Sequence, residues 1–266
     1  MKTRRVLAAY VLPVLLGAAS AMFSLSASAE NVLDNVMAAK NLRVAIPVDY
    51  PPYGYVGASM EPEGIDVDVA KLIGQKLGVK VTLIPVTAPN RVPYLQTGKA
   101  DMTISSLGKT AERAKVIDFS IAYAPFFDAV FGSSKQDITT FAQLAGKKVG
   151  VTRGSMEDQE LTSQSPNAIP QRFEDNNSTV AAYLSGQTQF MAIGTPVAGA
   201  MMKKDPKLDL HMKVMLANSP CYVGMPKDQP QLVAKVNDII RAAKADGTLD
   251  KLSEKWLGGP AGNLPE

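Results

Sequence analysis

The chain has 266 residues, of which 46% are hydrophobic, and its formal net charge at pH 7 is +3. Because this length exceeds that of most single domains, we expect two lobes. The basic residues form no extended cluster, which excludes the phosphate-neutralising surface that a nucleic-acid-binding protein needs.

The first 29 residues have the pattern of a secretory signal peptide. Three basic residues at the start are followed by an almost entirely apolar run, residues 6–23, and by a small Ala-Ser-Ala sequence that ends at Ala29. This order predicts export and cleavage after Ala29. The alternative is a retained membrane anchor, which Pro13 and Gly17 disfavour because they interrupt the apolar run.

Strand and helix patterns alternate along the rest of the chain. In the first half we predict helix 31–40, strand 42–46, a loop at 49–55, helix 64–78, strand 79–84, helix 91–98 and strand 101–105. In the second half we predict strand 147–152, helices 156–162 and 178–185, strand 190–193 and two C-terminal helices. The alternation indicates an α/β fold with largely parallel sheets. The Pro- and Gly-rich tail, 259–266, is expected to be loose.

The segment 105–113 is the most informative part of the sequence. It follows a strand and opens a helix that Thr110 can cap, which places Arg113 in the first turn. A guanidinium there, beside the unpaired amides of a helix start, suits a carboxylate. Ser105 and Ser106 stand at the strand end, where α/β sheets bind ligands. The alternative is an ordinary strand–turn–helix unit with an arginine on the surface.

A second turn of the same kind lies at 150–156. Gly154 and Ser155 are expected to leave backbone donors free for an anion. Tyr50 could wall a half-buried pocket, although a tyrosine is more often a packing residue. The acidic pairs at 157–158 and 174–175 are interpreted as solvated helix caps.

The sequence gives no sign of catalytic or metal chemistry. Cys221 is the only cysteine and His211 the only histidine. We therefore expect a buried thiol, no internal disulfide, no metal site and no cofactor. The common hydrolase, P-loop and metalloprotease motifs are missing, so we expect that the chain is not an enzyme.

The segment 64–77 has the sequence Gly-Ile-Asp-Val-Asp-Val-Ala-Lys-Leu-Ile-Gly-Gln-Lys-Leu. It resembles the signature of family 3 extracellular solute-binding proteins, the polar amino-acid receptors of ABC importers. The similarity continues, in order, through 98–101, 104–106, 110–113, 118–120, 144–147, 149–151, 246–248 and 255–256.

The resemblance implies a type II periplasmic binding protein fold, with two α/β lobes joined by two hinge strands. The crossings are expected near 123–131 and 216–224. Lobe 1 would comprise 30–125 with 221–258, and lobe 2 would comprise 126–220. Ligand would bind between the lobes and close them.

The resemblance also implies roles for individual residues. The ligand carboxylate would meet Arg113 and the turn at Gly154 and Ser155, where Met156 replaces the usual hydroxyl residue. The ligand ammonium would meet the chain around Ser106 and Gly108, and the aromatic ring at position 50 would cover the ligand side chain.

One departure concerns the residues after the strand 190–193. Many members of the family have an aspartate there for the ammonium, whereas this chain has Gly194 and Thr195. A buried ammonium without a counter-charge is costly. Either Asp158, Glu174 or Asp175 replaces the aspartate, or the ligand lacks an ordinary α-amino group.

The resemblance thus implies a monomeric periplasmic receptor that captures a small polar carboxylate, in the first place an amino acid, and delivers it to the membrane subunits of an ABC importer. Two alternatives remain: an enzyme on the same scaffold that resembles cyclohexadienyl dehydratases, with Glu174 as a candidate general acid, and a ligand-sensing subunit.

Overall fold

A computed structural model describes residues 31–266, so the predicted signal peptide lies outside the described residues. The helices are α1 (Val32–Ala39), α2 (Ile65–Leu77), α3 (Arg91–Gln96), α4 (Ala111–Ala114), α5 (Met156–Gln164), α6 (Asn176–Leu184), α7 (Thr195–Lys204), α8 (Pro230–Ala245) and α9 (Thr248–Leu257). The strands are β1 (Asn41–Ile46), β2 (Asp49–Tyr50), β3 (Gly54–Val56), β4 (Pro62–Glu63), β5 (Lys80–Pro85), β6 (Met102–Leu107), β7 (Ile117–Ala124), β8 (Phe127–Gly132), β9 (Lys148–Thr152), β10 (Ile169–Phe173), β11 (Phe190–Gly194), β12 (His211–Asn218) and β13 (Cys221–Pro226).

Two five-stranded sheets form the framework. The first has the order β5-β1-β6-β13-β7, and the second has the order β10-β9-β11-β8-β12. In the first sheet β1 is parallel to β5 and β6, while β13 is antiparallel to its neighbours. In the second sheet β9 is parallel to β10 and β11, while β8 is antiparallel to its neighbours. The predicted α/β architecture is confirmed.

The chain passes between the sheets twice, each time through two residues. Residues 125–126 connect β7 to β8, and residues 219–220 connect β12 to β13. The two connections lie side by side, because the amide of Ser219 donates a hydrogen bond of 2.9 Å to the carbonyl oxygen of Phe126. Both connections fall inside the segments where the crossings were expected.

The predicted loop at 49–55 contains two short strands. Asp49 pairs with Tyr55 and Tyr50 pairs with Gly54, and β4 completes a small antiparallel sheet. Prolines 51 and 52 lie in the turn between β2 and β3, where their missing amide donors cost no ladder hydrogen bond. The prolines therefore restrict the length of the strands without preventing the pairing.

The prediction of a loose tail at 259–266 was wrong. Ala261 and Leu264 are buried. The carbonyl oxygen of Pro265 accepts a 3.2 Å hydrogen bond from the amide of Ala122 in β7, and the carbonyl oxygen of Leu264 accepts one from Nζ of Lys244. Apolar side chains within a Pro- and Gly-rich sequence thus attach the tail to the first sheet and α8.

Helices α2 and α8 pack on the first sheet through an apolar face. In α2 the buried side chains include Val69, Ile73 and Leu77, as the spacing predicts. The longest helix, α8, has 16 residues and buries Leu232 and Val236 along one face. Within residues 31–266, no helix has both the length and the apolar character needed to cross a bilayer.

Candidate functional site

A small cavity of about 10 Å³ lies between the two sheets. Its walls are formed by Tyr50, Arg91, Ser106, Phe126, Ser155, Met156, Glu157 and Asn176. Ser106 is in β6 of the first sheet and Ser155 follows β9 of the second, so a molecule in the cavity would contact both. Larger depressions beside Lys227 and Trp256 contain none of the predicted site residues.

Tyr50 connects the small sheet to elements of the second sheet. Its hydroxyl donates a 2.7 Å hydrogen bond to Oε1 of Glu157 and accepts one of 2.9 Å from the amide of Gly194. Its ring is stacked with that of Phe126 at 6.1 Å between centroids. Burial, and then the nearby carboxylate of Glu157, raise the pKa of Tyr50 well above its usual value. The hydroxyl therefore stays protonated and acts as the donor in its hydrogen bond to Glu157.

Ser105 and Ser106 lie near the end of β6, where the sequence places them. Both are buried, and neither hydroxyl oxygen has a hydrogen-bond partner among the described residues. Ser106 has a φ of 41°, a left-handed conformation, and its amide donates to Oδ2 of Asp66 at 2.8 Å. The other oxygen of Asp66 accepts from the hydroxyl of Tyr123 at 2.6 Å. The first turn of α2 therefore fixes the conformation of Ser106.

The carboxyl group of Asp66 is fully buried, and this burial raises its pKa to about 7, although bonds from Tyr123 and Ser106 favour its charged form. Between about pH 4 and pH 7, the Asp66 carboxyl group therefore keeps its proton in the folded chain but has lost it in the unfolded chain. The stability that this proton contributes is complete below about pH 4 and is lost as the pH rises through about 7.

This linkage gives a prediction for Asp66→Asn. The variant has no titratable group at position 66. Its side-chain nitrogen lies opposite a hydrogen-bond donor, the hydroxyl of Tyr123 or the amide of Ser106, at every pH. The free energy of unfolding of the wild type, minus that of the variant, should fall by about 2 kcal/mol between pH 5 and pH 8. Urea unfolding of both proteins at the two pH values measures this difference, and a constant difference would contradict the assigned protonation.

Arg113 occupies the position that the sequence predicts, in the first turn of α4. The hydroxyl of Thr110 caps this turn by accepting a bond from the amide of Arg113. One guanidinium nitrogen donates to the carbonyl oxygen of Gly108 at 2.7 Å, and the other terminal nitrogen donates to that of Gly154 at 2.8 Å. The side chain therefore connects a loop of the first sheet to a loop of the second.

The guanidinium of Arg113 is buried without a carboxylate. Only 8% of the residue is exposed, and among residues 31–266 it forms no ion pair. Burial, and then the positive charge of Arg91, lower its pKa to about 10. Arg91 is also buried, and its Nε lacks a hydrogen-bond partner in the described chain. Two buried cations with unmet bonding capacity make this part of the site suitable for an anion.

The turn at Gly154 and Ser155 differs from the prediction in one respect. Its amides are not free, because Gly154 donates to Oδ2 of Asp158 at 3.1 Å and Ser155 donates to the carbonyl oxygen of Thr152 at 3.1 Å. Asp158 is held in place by the guanidinium of Arg172 at 2.8 Å. Among the first amides of α5, that of Asp158 donates to the hydroxyl of Ser155 at 3.1 Å, so the backbone donors available to an anion are those of positions 156 and 157.

Met156 and Gly108 are close neighbours across the site. The side chain of Met156 is buried and lines the cavity. A Cβ atom built on Gly108 would lie 2.6 Å from Cγ of Met156 and would also collide with the hydroxyl of Ser219. The two loops approach this closely because position 108 has no side chain.

Glu157 and Asp128 form an acidic pair that the sequence analysis did not assign to the site. Glu157 is only 5% exposed and lines the cavity, so its interpretation as a solvated cap was wrong. Asp128, in β8, is fully buried, and within the described residues neither of its oxygens has a hydrogen-bond donor. Burial, and then the neighbouring Glu157, raise the pKa of Asp128 well above its usual value. A lone acid inside the apolar segment 126–131 was a signal for this position, because burying an unpaired charge is costly.

The acids proposed from the sequence lie elsewhere. Asp158 is paired with an arginine, as described above. Glu174 is largely exposed and forms a 2.9 Å ion pair with Arg153. Asp175 caps α6 by accepting a 2.7 Å bond from the amide of Ser178. None of the three is among the residues that line the cavity.

Thr195 is also absent from the cavity wall; it is half-buried and begins α7. In contrast, Arg91, Phe126 and Asn176 line the cavity although the sequence did not mark them. Asn176 reaches it because its amide groups bond both oxygens of Asp49. No local pattern distinguishes these three residues from ordinary helix and strand residues.

Metal-binding groups are not assembled within residues 31–266, where no cluster of three or more His, Cys, Asp or Glu side chains could hold an ion. Cys221 is a buried free thiol, as predicted. His211 is exposed, with its Nε2 3.1 Å from a carboxylate oxygen of Asp209.

Comparison with known proteins gives a consistent result. A sequence model of the bacterial extracellular solute-binding proteins, family 3, matches residues 42–259. The ABC transporter arginine-binding protein 1 of Escherichia coli (strain K12) is 27% identical over 228 residues, which are 83% of this chain and 92% of that protein.

Solved structures agree with this similarity. An ancestral arginine-binding protein bound to arginine is 31% identical, with a TM-score of 0.78, and covers 82% of this chain and 99% of its own. The ancestral amino-acid-binding protein AncCDT-1, described as a precursor of cyclohexadienyl dehydratase, is 32% identical, with a TM-score of 0.76, and covers 85% and 99%. These neighbours have the type II fold that was predicted. Because the family and these relatives are binding proteins, the comparisons support binding over the enzyme alternative.

Proposed function

Because this chain belongs to the bacterial extracellular solute-binding proteins, family 3, we propose that it captures an amino acid, or a closely related small polar carboxylate, and delivers it to an ABC importer. The observation that carries this proposal is the buried guanidinium of Arg113, which connects the loops of the two sheets and has no carboxylate of its own. A ligand carboxylate would supply the missing negative charge.

The arrangement around the cavity supports capture by closure. Three sets of hydrogen bonds join the sides: Arg113 to Gly154, Tyr50 to Glu157, and Asn176 to Asp49. We assign one side to a discontinuous lobe, 30–125 with 221–258, and the other to a lobe formed by 126–220. Ligand entering between them would be enclosed when these bonds form.

Ten residues are proposed as ligand contacts or as their immediate support: Tyr50, Ser105, Ser106, Gly108, Arg113, Gly154, Ser155, Met156, Asp175 and Thr195. Of the first eight, Tyr50, Ser106, Ser155 and Met156 line the cavity, Ser105 and Gly154 directly precede lining residues, and Gly108 packs beside Met156. Arg113 does not line the cavity; it bonds the carbonyl groups of Gly108 and Gly154 next to it. For Asp175 and Thr195 the geometry favours supporting roles at the starts of α6 and α7.

The cellular setting follows from the same proposal. We propose cleavage after Ala29, release into the periplasm and action as a monomer that meets the membrane subunits of the importer. The names of the relatives include binding proteins for arginine, glutamine, cystine and histidine. These amino acids are the first ligands to test.

A thermal-shift screen of amino acids, organic acids and opines tests the function directly. One carboxylate, present at about 100 times its dissociation constant, should stabilise the chain by about 2.7 kcal/mol. For a chain of this size that corresponds to an increase in Tm of about 5–10 °C. The parent amine without its carboxylate serves as the matched control and should give no shift. A flat response to every carboxylate would contradict the proposed function.

A further inference from the structure

We propose that Glu157 and Asp128 together form an anionic subsite for a cationic nitrogen group of the ligand, a proposal that rests on the proposed function and makes the ligand class specific. Glu157 lines the cavity, and Asp128 is buried in β8, a strand that α5 contacts. The cavity would then have both a cation on its wall, Arg91, with Arg113 bonded to the loops beside it, and the acidic pair. Such a cavity selects a ligand that carries both charges.

The first support is the bonding state of the two acids. Tyr50 donates to Oε1 of Glu157, whereas both oxygens of Asp128 are buried and, in the part of the chain described, have no donor. A buried carboxyl group whose oxygens accept no hydrogen bond is costly, even when it is protonated. A ligand cation would remove that cost.

The second support is the charge that the pair can hold. Burial, and then the charge of Glu157, raise the pKa of Asp128 well above its usual value, so Asp128 favours its protonated form. Glu160, on the same helix as Glu157, acts in the same direction, whereas Arg113 lowers this pKa. With Asp128 protonated, one positive charge on the ligand is enough to match the pair.

The third support explains why the acid is on α5 instead of at the end of β11. A Cβ atom on Gly194 would lie 2.5 Å from Cζ of Phe126 and 3.1 Å from the hydroxyl oxygen of Tyr50. No aspartate fits there, because these two aromatic side chains occupy the space. The Tyr50 hydroxyl that occupies part of this space also donates a hydrogen bond to Glu157. The lack of space for a side chain at position 194 and the orientation of the acid at position 157 therefore depend on the same tyrosine.

The hydroxyl of Ser106 is a further group on the cavity wall that a ligand could bond. The hydroxyl oxygen of Ser106 is buried and unpartnered in the described chain, and Ser106 lines the same cavity as Glu157. This hydroxyl can accept a bond from an ammonium or a guanidinium. A donor group on the ligand would satisfy both this hydroxyl and the acidic pair.

Isothermal titration calorimetry with paired probes tests the subsite. The probes are L-arginine, L-glutamine and L-histidine, each with its des-amino acid: 5-guanidinopentanoic acid, glutaramic acid and imidazolepropionic acid. L-Citrulline is added as the neutral analogue of arginine. We expect Glu157→Gln to weaken the best-bound amino acid by at least 30-fold, while the affinity for the matched probe that lacks the bound cationic group, either its des-amino acid or citrulline, changes by less than threefold. Asp128→Asn should weaken the same ligand by at least 5-fold.

Asp238→Asn is the control. It removes one negative charge from the surface of α8, where the side chain is 72% exposed, and it should change no affinity by more than threefold. Circular dichroism and thermal unfolding establish that each variant is folded. If Glu157→Gln does not fold, Asp128→Asn carries the test.

The outcomes separate the possibilities. A loss shared by arginine, citrulline and glutamine assigns the subsite to the α-ammonium, whereas a loss for arginine alone, relative to citrulline, assigns it to the side chain; both support the proposal. Equal losses for all probes, including citrulline and the des-amino acids that carry no cationic side chain, or no loss in either variant, would overturn the subsite and leave the proposed function intact. No binding of any probe by the wild type would contradict the proposed function, and the subsite with it.

Discussion

Arg113→Ala should reduce the affinity for the bound amino acid by at least 100-fold while the chain stays folded. The guanidinium is the cation best placed for the ligand carboxylate, and its loss leaves that carboxylate in a site closed to water. Removing one partner of a buried, charge-assisted pair costs about 3 kcal/mol, which corresponds to the expected factor. Titration calorimetry with the ligand identified by thermal shift measures the effect.

Two further variants separate this role from a general effect of charge. Arg113→Lys keeps the charge but loses the planar fork that bonds Gly108 and Gly154, so its affinity should lie between those of the wild type and the alanine variant. Arg241→Ala removes an arginine whose ion pairs are on the surface and should leave the affinity unchanged. Wild-type affinity in the Arg113→Ala variant would refute the assignment.

Gly64→Ala should destabilise the chain by about 3 kcal/mol or more and lower its Tm by roughly 6–12 °C. Gly64 has a φ of +132°, a region that is essentially limited to glycine. A Cβ atom there would lie 2.6 Å from the carbonyl carbon of Tyr53 and would collide with its oxygen as well. Backbone atoms cannot move aside as a flexible side chain can.

Gly78→Ala is the matched control for this prediction. Gly78 ends the same helix with a φ of +70°, and a Cβ atom there meets nothing within 4 Å. Its cost should be limited to the backbone conformation, about 1 kcal/mol. Differential scanning calorimetry of both variants compares the two effects. Similar losses of stability would show that the contact with Tyr53 is unimportant.

The close approach of Gly64 to the backbone of Tyr53 also affects the site. It allows the amide of Asp66 to donate to the carbonyl oxygen of Tyr53 at 2.9 Å, and the side chain of Asp66 in turn bonds the amide of Ser106. A chain that relaxes around an alanine at position 64 would move the acceptor that holds Ser106. Ligand affinity in any folded Gly64→Ala protein is therefore expected to fall together with its stability.

The sequence predicts well the features that depend on neighbouring residues. Helix α2 is found between Gly64 and Gly78 because its apolar period and its two glycines are local signals. Thr110 caps α4 and orients Arg113 for the same reason. Both features were available from spacing and residue type alone.

The features that were missed depend on segments far apart in the chain. Whether Glu157 faces solvent or the cavity is decided by Tyr50, which is 107 positions away. The tail is fixed by its contacts with β7 and α8, although its composition favours disorder. Local patterns show which residues can cap a helix, but they do not show which surface another segment will cover.

The two short passages between the sheets also limit how the protein can move. Residues 125–126 and 219–220 are joined by a hydrogen bond, so we expect the halves to swing mainly about the axis that the two connections define. Such a restriction reduces the number of independent motions that open the site. One spin-label or fluorophore pair, with a probe on each half, would report the whole trajectory between the empty and the loaded receptor.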